Sequence, residues 1–158
     1  MITIGLDMYL EARKFLSGWD FKPEEERELY RQVVAAVDLD KIQDDRFATV
    51  NVNVAYWRKA NHIHDWFVNN VQDGEDDCKS YHVSREQLME LIEICERVHR
   101  SGDPDLAEEL LPTASGFFFG DTQYDEYYFQ ETERTAKMLG KLVAEAPTDV
   151  DFYYSSSW

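Results

Sequence analysis

Apolar and polar residues alternate strictly in residues 47–54, and this alternation predicts the clearest strand of the chain. Its valines share one side: Val50, Val52 and Val54. Its polar residues share the other: Thr49, Asn51 and Asn53. A period of two is typical of a strand that buries one face. Residues 2–16 alternate more loosely, with Ile4, Leu6, Met8 and Leu10 on one face, and predict a second strand that carries Asp7 on its other face.

Four longer segments repeat their apolar residues at helical spacing. The first runs from Pro23 to about Val37, the second is capped by Asn53 and covers residues 56–71, the third runs from Ser84 to about His99, and the last runs from Asp121 or Thr122 to about Val143. Ser84 and Gln87 match a capping box. Residues 105–111 predict one further helical turn.

Three shorter segments complete the predicted sheet, namely residues 78–83, 117–119 and 151–155. Phe117–Phe119, between Gly116 and Gly120, is either a buried strand or a tight segment that other backbone approaches closely. The element order predicts an α+β fold in one compact domain over residues 1–158. We expect a single-layer sheet of about five strands, packed with three to four helices.

The charge of the chain narrows its partners. Its 32 acidic and 16 basic residues give a formal net charge of −16, which argues against duplex DNA or an anionic membrane surface as a partner. We find neither a signal-peptide pattern nor an apolar run of membrane-spanning length, so the expected location is cytoplasmic, in the host cytosol if a phage encodes the chain. Cys78 and Cys95 are expected to be reduced, with Cys95 in the core.

The predicted second helix concentrates the unusual residues. It opens with Trp57, Arg58 and Lys59 and continues with Asn61 and His64. An arginine at a helix start can hold phosphate, an aromatic ring can stack a base, and an amide can bind its edge. The predicted ligand-binding residues are therefore Trp57, Arg58, Asn61 and His64, with Tyr124 on an opposite wall.

Catalytic and metal-binding alternatives have weaker patterns. Two histidines at positions 62 and 64 of a helix point about 200° apart and would not converge on one ion. Asp7, His64 and Asp125 could converge on a metal from different elements, as in a small hydrolase, and Cys78 could pair with a histidine as a nucleophile. We assign no catalytic residue, metal or cofactor, and whether the protein is an enzyme stays open.

Several motifs resemble a group of small proteins carried by bacteriophages and bacterial mobile elements. They are GLDMYL at 5–10, YWRKAN at 56–61, WFV at 66–68, LLPT at 110–113, SGFFFG at 115–120, YDEYY at 124–128 and FYYSSSW at 152–158. The resemblance spans nearly the whole chain and implies a phage-type accessory protein. Some members are labelled phosphoglycerate kinase, a label that this chain, without a G-x-x-x-x-G-K-[ST] loop, does not support.

The expected function is non-enzymatic sequestration of a nucleotide-like, phosphate-bearing small molecule, which would serve counter-defence. A first alternative is an acidic inhibitor that binds a host defence protein or mimics nucleic acid, and a second is the metal-dependent hydrolase. Exposed aromatic residues would also allow a homo-oligomer.

Overall fold

The computed structural model describes residues 4–41 and 47–158, which form five helices and one antiparallel four-stranded sheet. The strands are β1 (Asp7–Ser17), β2 (Phe47–Arg58), β3 (Tyr81–Val83) and β4 (Asp151–Ser157). The helices are α1 (Glu24–Ala36), α2 (Asn61–Asn70), α3 (Arg85–Ser101), α4 (Pro104–Leu110) and α5 (Glu126–Glu145). This architecture confirms the predicted α+β class. Residues 2–3 of the predicted first strand and residues 42–46 of the connection before β2 lie outside the described residues.

The strand order is β2-β1-β4-β3, so β2 and β3 are the edges of the sheet. β1 pairs with β2 over the full length of both strands, from Asp7 opposite Arg58 to Ser17 opposite Phe47. A bulge interrupts this pairing, because Leu10 lies opposite Ala55 whereas Glu11 lies opposite Asn53. Val54 is the extra residue, and the side-chain alternation of β2 changes phase there.

Helices α2, α3 and α5 cover one face of the sheet. Met8, Leu10 and Trp57 point to this face from neighbouring strands and are buried. α2, α3 and α5 contribute the apolar positions that their helical spacing predicts: Ile63, Phe67, Leu88, Leu91, Cys95, Val98, Tyr128, Ala136 and Leu139. Ser84 and Gln87 form the predicted capping box. Cys78 and Cys95 are both free thiols, and Cys95 is in the core as predicted.

The sheet differs from prediction at Phe117–Phe119, for which the sequence left a strand and a tight segment open. Phe117–Phe119 is not a strand, which leaves four strands instead of five in the described residues. Phe117 is 94% exposed, and the segment turns back on itself through a bond from the Phe119 N–H to the Gly116 carbonyl. The alternative of a tight segment is confirmed, since the Leu6 N–H donates to the Phe118 carbonyl at 3.0 Å.

The helices also differ from prediction at their ends. The last helix is capped by Asp125 and not by Asp121 or Thr122. α1 has the predicted apolar stripe but contains no buried residue. None of the helices in the described part of the chain is long and apolar enough to cross a membrane.

Candidate ligand-binding site

The junction between β2 and α2 corrects the predicted helix start. Trp57 and Arg58 still belong to β2, because Trp57 packs opposite Met8 in the sheet. Lys59 then takes a left-handed conformation with φ of 54°, and Ala60 is the N-cap. Asn53 lies well inside β2 and caps nothing. Since Ala60 has no side chain that could cap, the first-turn N–H groups of α2 receive no side-chain acceptor from their N-cap.

The side chains of Arg58 and Lys59 meet over Gly5. A Cβ atom at Gly5 would lie 3.1 Å from Arg58 Nη2 and 3.2 Å from Lys59 Cε. Gly120 supports Lys59 from another side, where a Cβ would lie 3.2 Å from Lys59 Cβ, and its φ of 87° favours glycine. Two glycines from distant parts of the chain thus make room for two adjacent basic side chains.

A small cavity of about 140 Å³ opens at the start of α2. Its lining combines the α2 start with the loop before α5 and consists of Lys59, Asn61, His62, Thr113, Gly120, Asp121, Gln123, Asp125, Tyr127 and Tyr128. Two of its carboxylates already accept backbone bonds, Asp121 from Gln123 N and Asp125 from Tyr128 N. Lys59 is exposed and forms no ion pair with any carboxylate of the described residues. Its ammonium group is therefore available at the mouth of the cavity.

Arg58 faces the side of the sheet away from the helices. Its Nη1 donates to Asp7 Oδ1 at 2.9 Å, and the Tyr56 hydroxyl donates to the same oxygen. The hydrogen bond to Asp7 raises the pKa of Tyr56, because the carboxylate stabilises the protonated phenol. A second cation, a carboxylate and a phenol therefore meet beside Lys59.

The outer face of the sheet, which is turned away from the helices, carries aromatic side chains that are at least partly exposed to solvent. Tyr9 and Tyr56 are cross-strand partners with ring centroids 5.5 Å apart. Further along the same face, the Arg13 guanidinium lies 3.9 Å from the centroid of the Tyr153 ring. No side chain on this face of β1 between Asp7 and Phe15 is buried, so no described element covers these rings.

Of the five predicted ligand-binding residues, Arg58 has its functional group on the outer face of the sheet, where the guanidinium is partly exposed. Trp57 has no exposed surface, and its Nε1 donates to Thr135 Oγ1 at 2.9 Å. The predicted stacking on Trp57 therefore has no surface to act through.

Asn61 and Tyr124 organise the loop that closes the cavity. The Asn61 amide donates to the carbonyls of Phe119 and Asp121 at 3.0 and 2.9 Å, and its oxygen accepts from Ala114 N at 3.0 Å. The Tyr124 hydroxyl accepts from Thr113 N at 3.2 Å. Asn61 lines the cavity, but its amide is fully used by backbone groups.

His64 is buried in a chain of hydrogen bonds. Its Nδ1 lies 2.7 Å from the Tyr154 hydroxyl and its Nε2 lies 2.9 Å from Asp76 Oδ2, while Trp158 Nε1 donates to the other oxygen of Asp76. Burial raises the pKa of Tyr154 well above its usual range, so the phenol keeps its proton. The chain of bonds fastens the C-terminal strand and the loop after α2 to the helix.

His62 does not share partners with His64, because its Nε2 lies 3.1 Å from Thr132 Oγ1. Asp7, His64 and Asp125 bond to separate partners, and the described residues contain no group of three histidine, cysteine or acidic side chains that could hold a metal ion. The metal-dependent hydrolase therefore lacks its predicted cluster within 4–41 and 47–158.

Sequence reasoning missed Gly5 and Tyr9 as members of this surface. The signal for Tyr9 was present, since alternation put it on the same face as Asp7. The role of Gly5 depends on a contact with residues more than fifty positions away, which no local pattern reveals. No family model, curated protein sequence or solved structure matches the chain.

Proposed function

We propose that this protein binds a nucleotide-like, phosphate-bearing small molecule without turning it over. The observation that carries the proposal is the meeting of Arg58 and Lys59 over Gly5, beside the open Tyr9–Tyr56 pair. The chain has a net charge of −16, so two adjacent basic side chains above Gly5 form a locally positive site in an otherwise acidic protein.

The phosphate would lie between the two cations and the start of α2. Arginine binds phosphate through two parallel N–H groups, and lysine adds a point charge. The N–H groups of Asn61 and His62 and the dipole of α2 favour an anion at the same place, whereas the Ile63 N–H already donates to the Ala60 carbonyl. The cavity of about 140 Å³ is lined by Lys59 and not by Arg58, so a phosphate held by both cations would lie at its mouth and the remainder of the ligand would lie outside it.

The base would lie on the outer face of the sheet. Stacking on tyrosine tolerates any base, because every base has a π face. Tyr56 is 45% exposed and lies two residues before Arg58 on the same face of β2. This arrangement replaces the predicted stacking on Trp57, and it keeps Arg58 as the central contact.

We propose that this binding serves counter-defence. A phage-type protein that sequesters a host nucleotide signal needs affinity and no catalytic group, which agrees with the resemblance described above.

Isothermal titration calorimetry with nucleoside mono- and diphosphates, cyclic nucleotides and inorganic pyrophosphate tests the proposal. We expect at least one phosphate compound to bind, and Lys59→Ala and Arg58→Gln each to weaken it by about tenfold, the effect of one lost charge-assisted contact. Lys141→Ala is the matched control, because Lys141 is an exposed lysine outside this surface. Tyr56→Leu should weaken nucleotides while leaving pyrophosphate unchanged. If no compound binds, or if Lys141→Ala has the same effect as Lys59→Ala, the proposal is wrong.

One observation favours the second candidate, an acidic protein-binding inhibitor. On α3, Glu86, Glu90 and Glu93 form an exposed row at helical spacing and pair with no basic residue of the described part of the chain. Pull-down from host lysate at low and high salt tests this candidate with Glu90→Gln/Glu93→Gln as the variant. A partner that is lost at high salt and in that variant would support it, whereas salt-independent capture would contradict it.

A further inference from the structure

We propose that the exposed edge of β2 pairs antiparallel with β2 of a second copy of this chain, which joins the two sheets into one. β2 is the longest strand of the sheet and lies at its edge. At its C-terminal end the edge is covered, because Arg134 Nη2 donates to the Tyr56 carbonyl and the Tyr127 hydroxyl donates to the Arg58 carbonyl. No such bond from another described element reaches the carbonyls from Phe47 to Val54.

Apart from the bulge at Val54, this open edge lacks the features by which monomeric proteins protect an edge strand. Such strands carry lysines, prolines or inward-pointing charges that block pairing with another chain. From Phe47 to Trp57 there is no charged residue and no proline, although 30% of the chain is charged. Val52, in the middle of this edge, is 52% exposed.

The sequence of the strand makes a second copy the fitting occupant. Residues 50–54 read VNVNV and are a palindrome about Val52. Antiparallel pairing of the strand with itself would place Val52 opposite Val52, Val50 opposite Val54, and Asn51 opposite Asn53. Every side chain would then face its own kind across the pair, which is what an isologous two-fold interface requires.

Charge also singles out this edge. Two copies that each carry a net charge of −16 repel one another, so they can approach with least cost along a surface that has no charge. The same repulsion sets the sign of the salt dependence. Added salt screens it, and the dimer should become tighter as ionic strength rises.

Sedimentation equilibrium over a concentration series tests the dimer, with Val52→Lys as the variant. We expect the wild type to dimerise and Val52→Lys, which opposes two ammonium groups at the two-fold axis, to weaken the dimer by about tenfold or more. Val37→Lys is the matched control, since Val37 is 59% exposed and lies outside the sheet. A wild-type monomer at every concentration, or a dimer that Val52→Lys leaves unchanged, would overturn the proposal.

Cross-linking gives a second readout that does not depend on introducing a charge. In a Cys78→Ser background, Val52→Cys places two thiols on cross-strand partners whose Cβ atoms are ~5 Å apart, within reach of a disulfide after small adjustment. We expect oxidation to join Val52→Cys into a covalent dimer and to leave Val37→Cys monomeric. Equal cross-linking of the two variants, or cross-linking of neither, would count against the β2 interface.

Discussion

Arg58 Nη1 lies 2.9 Å from Asp7 Oδ1, so the arginine that we propose as a phosphate contact is already paired with a carboxylate. Asp7 therefore competes with an anionic ligand. The pair is partly exposed, and ion pairs in contact with water contribute about 0.2–1 kcal/mol. Asp7→Asn should tighten the binding of pyrophosphate by up to about fivefold, as measured by calorimetry.

The opposite variant provides the control for that prediction. Arg58→Gln should weaken pyrophosphate binding, so the two substitutions should act in opposite directions at one ion pair. If Asp7→Asn weakened binding instead, Asp7 would be holding Arg58 in its binding position rather than competing for it.

Asn61 should be more important for stability than its polarity suggests. Its buried side chain makes three hydrogen bonds to backbone groups of the loop over residues 114–121. Removing these bonds leaves three partly buried backbone groups without their Asn61 partner, so Asn61→Ala should cost about 2–3 kcal/mol of unfolding free energy in urea titrations. Asn53→Ala, at an exposed position of β2, should change stability by less than about 0.5 kcal/mol. Equal effects of the two substitutions would contradict the structural role of Asn61.

Asn61 and Trp57 show how far the sequence predicts the site. The pattern identified residues 56–61 as unusual, and every one of them lies at or beside the junction between β2 and α2. The pattern could not separate inside from outside, because the helix was predicted to begin before Trp57. A strand that continues to Arg58 turns Trp57 into the core and Arg58 to the surface.

The fold was more accessible to sequence reasoning than the site. Capping signals, such as the box of Ser84 and Gln87, are local, and they placed α3 correctly. Phe117–Phe119 misled the prediction because three adjacent aromatic residues favour a strand by composition. No neighbouring strand pairs with that segment in the described residues, and a strand needs a partner.

His62 should make the protein less stable as the pH falls. Burial lowers its pKa from 6.5 to about 3, so the folded protein keeps His62 neutral while the unfolded chain takes up a proton below about pH 6.5. The contribution of His62 is complete above the unfolded pKa and is lost as the pH falls from there towards the folded pKa.

His62→Gln isolates that contribution because glutamine does not titrate. Between about pH 7.5 and pH 5.5, the unfolding free energy of the wild type should fall by about 1.4 kcal/mol more than that of the variant, as measured by urea titration at each pH. Identical pH dependence of the two proteins would show that the pKa of His62 is the same in the folded and unfolded states.

The two thiols should differ sharply in reactivity. Cys78 is exposed, whereas Cys95 is buried and its burial raises the pKa of its thiol, which disfavours the reactive thiolate. A colorimetric thiol reagent should label one cysteine rapidly in the folded protein and the second only in denaturant. Cys78→Ser should abolish the rapid phase, and a rapid phase that survives this substitution would mean that Cys95 is accessible.

The bulge at Val54 changes which alternate residues of β2 face the helices. Because it adds one residue, the odd-numbered positions of β2 after the bulge face the helices, whereas before it the even-numbered positions do. If Val54 were kept but the bulge were lost, strict alternation from Val52 onward would turn Tyr56 and Arg58 towards the hydrophobic interior and Trp57 towards water. Deleting Val54 would instead leave these three side chains on their present faces, so the bulge is what lets a strand of this length present Tyr56 and Arg58 to the surroundings.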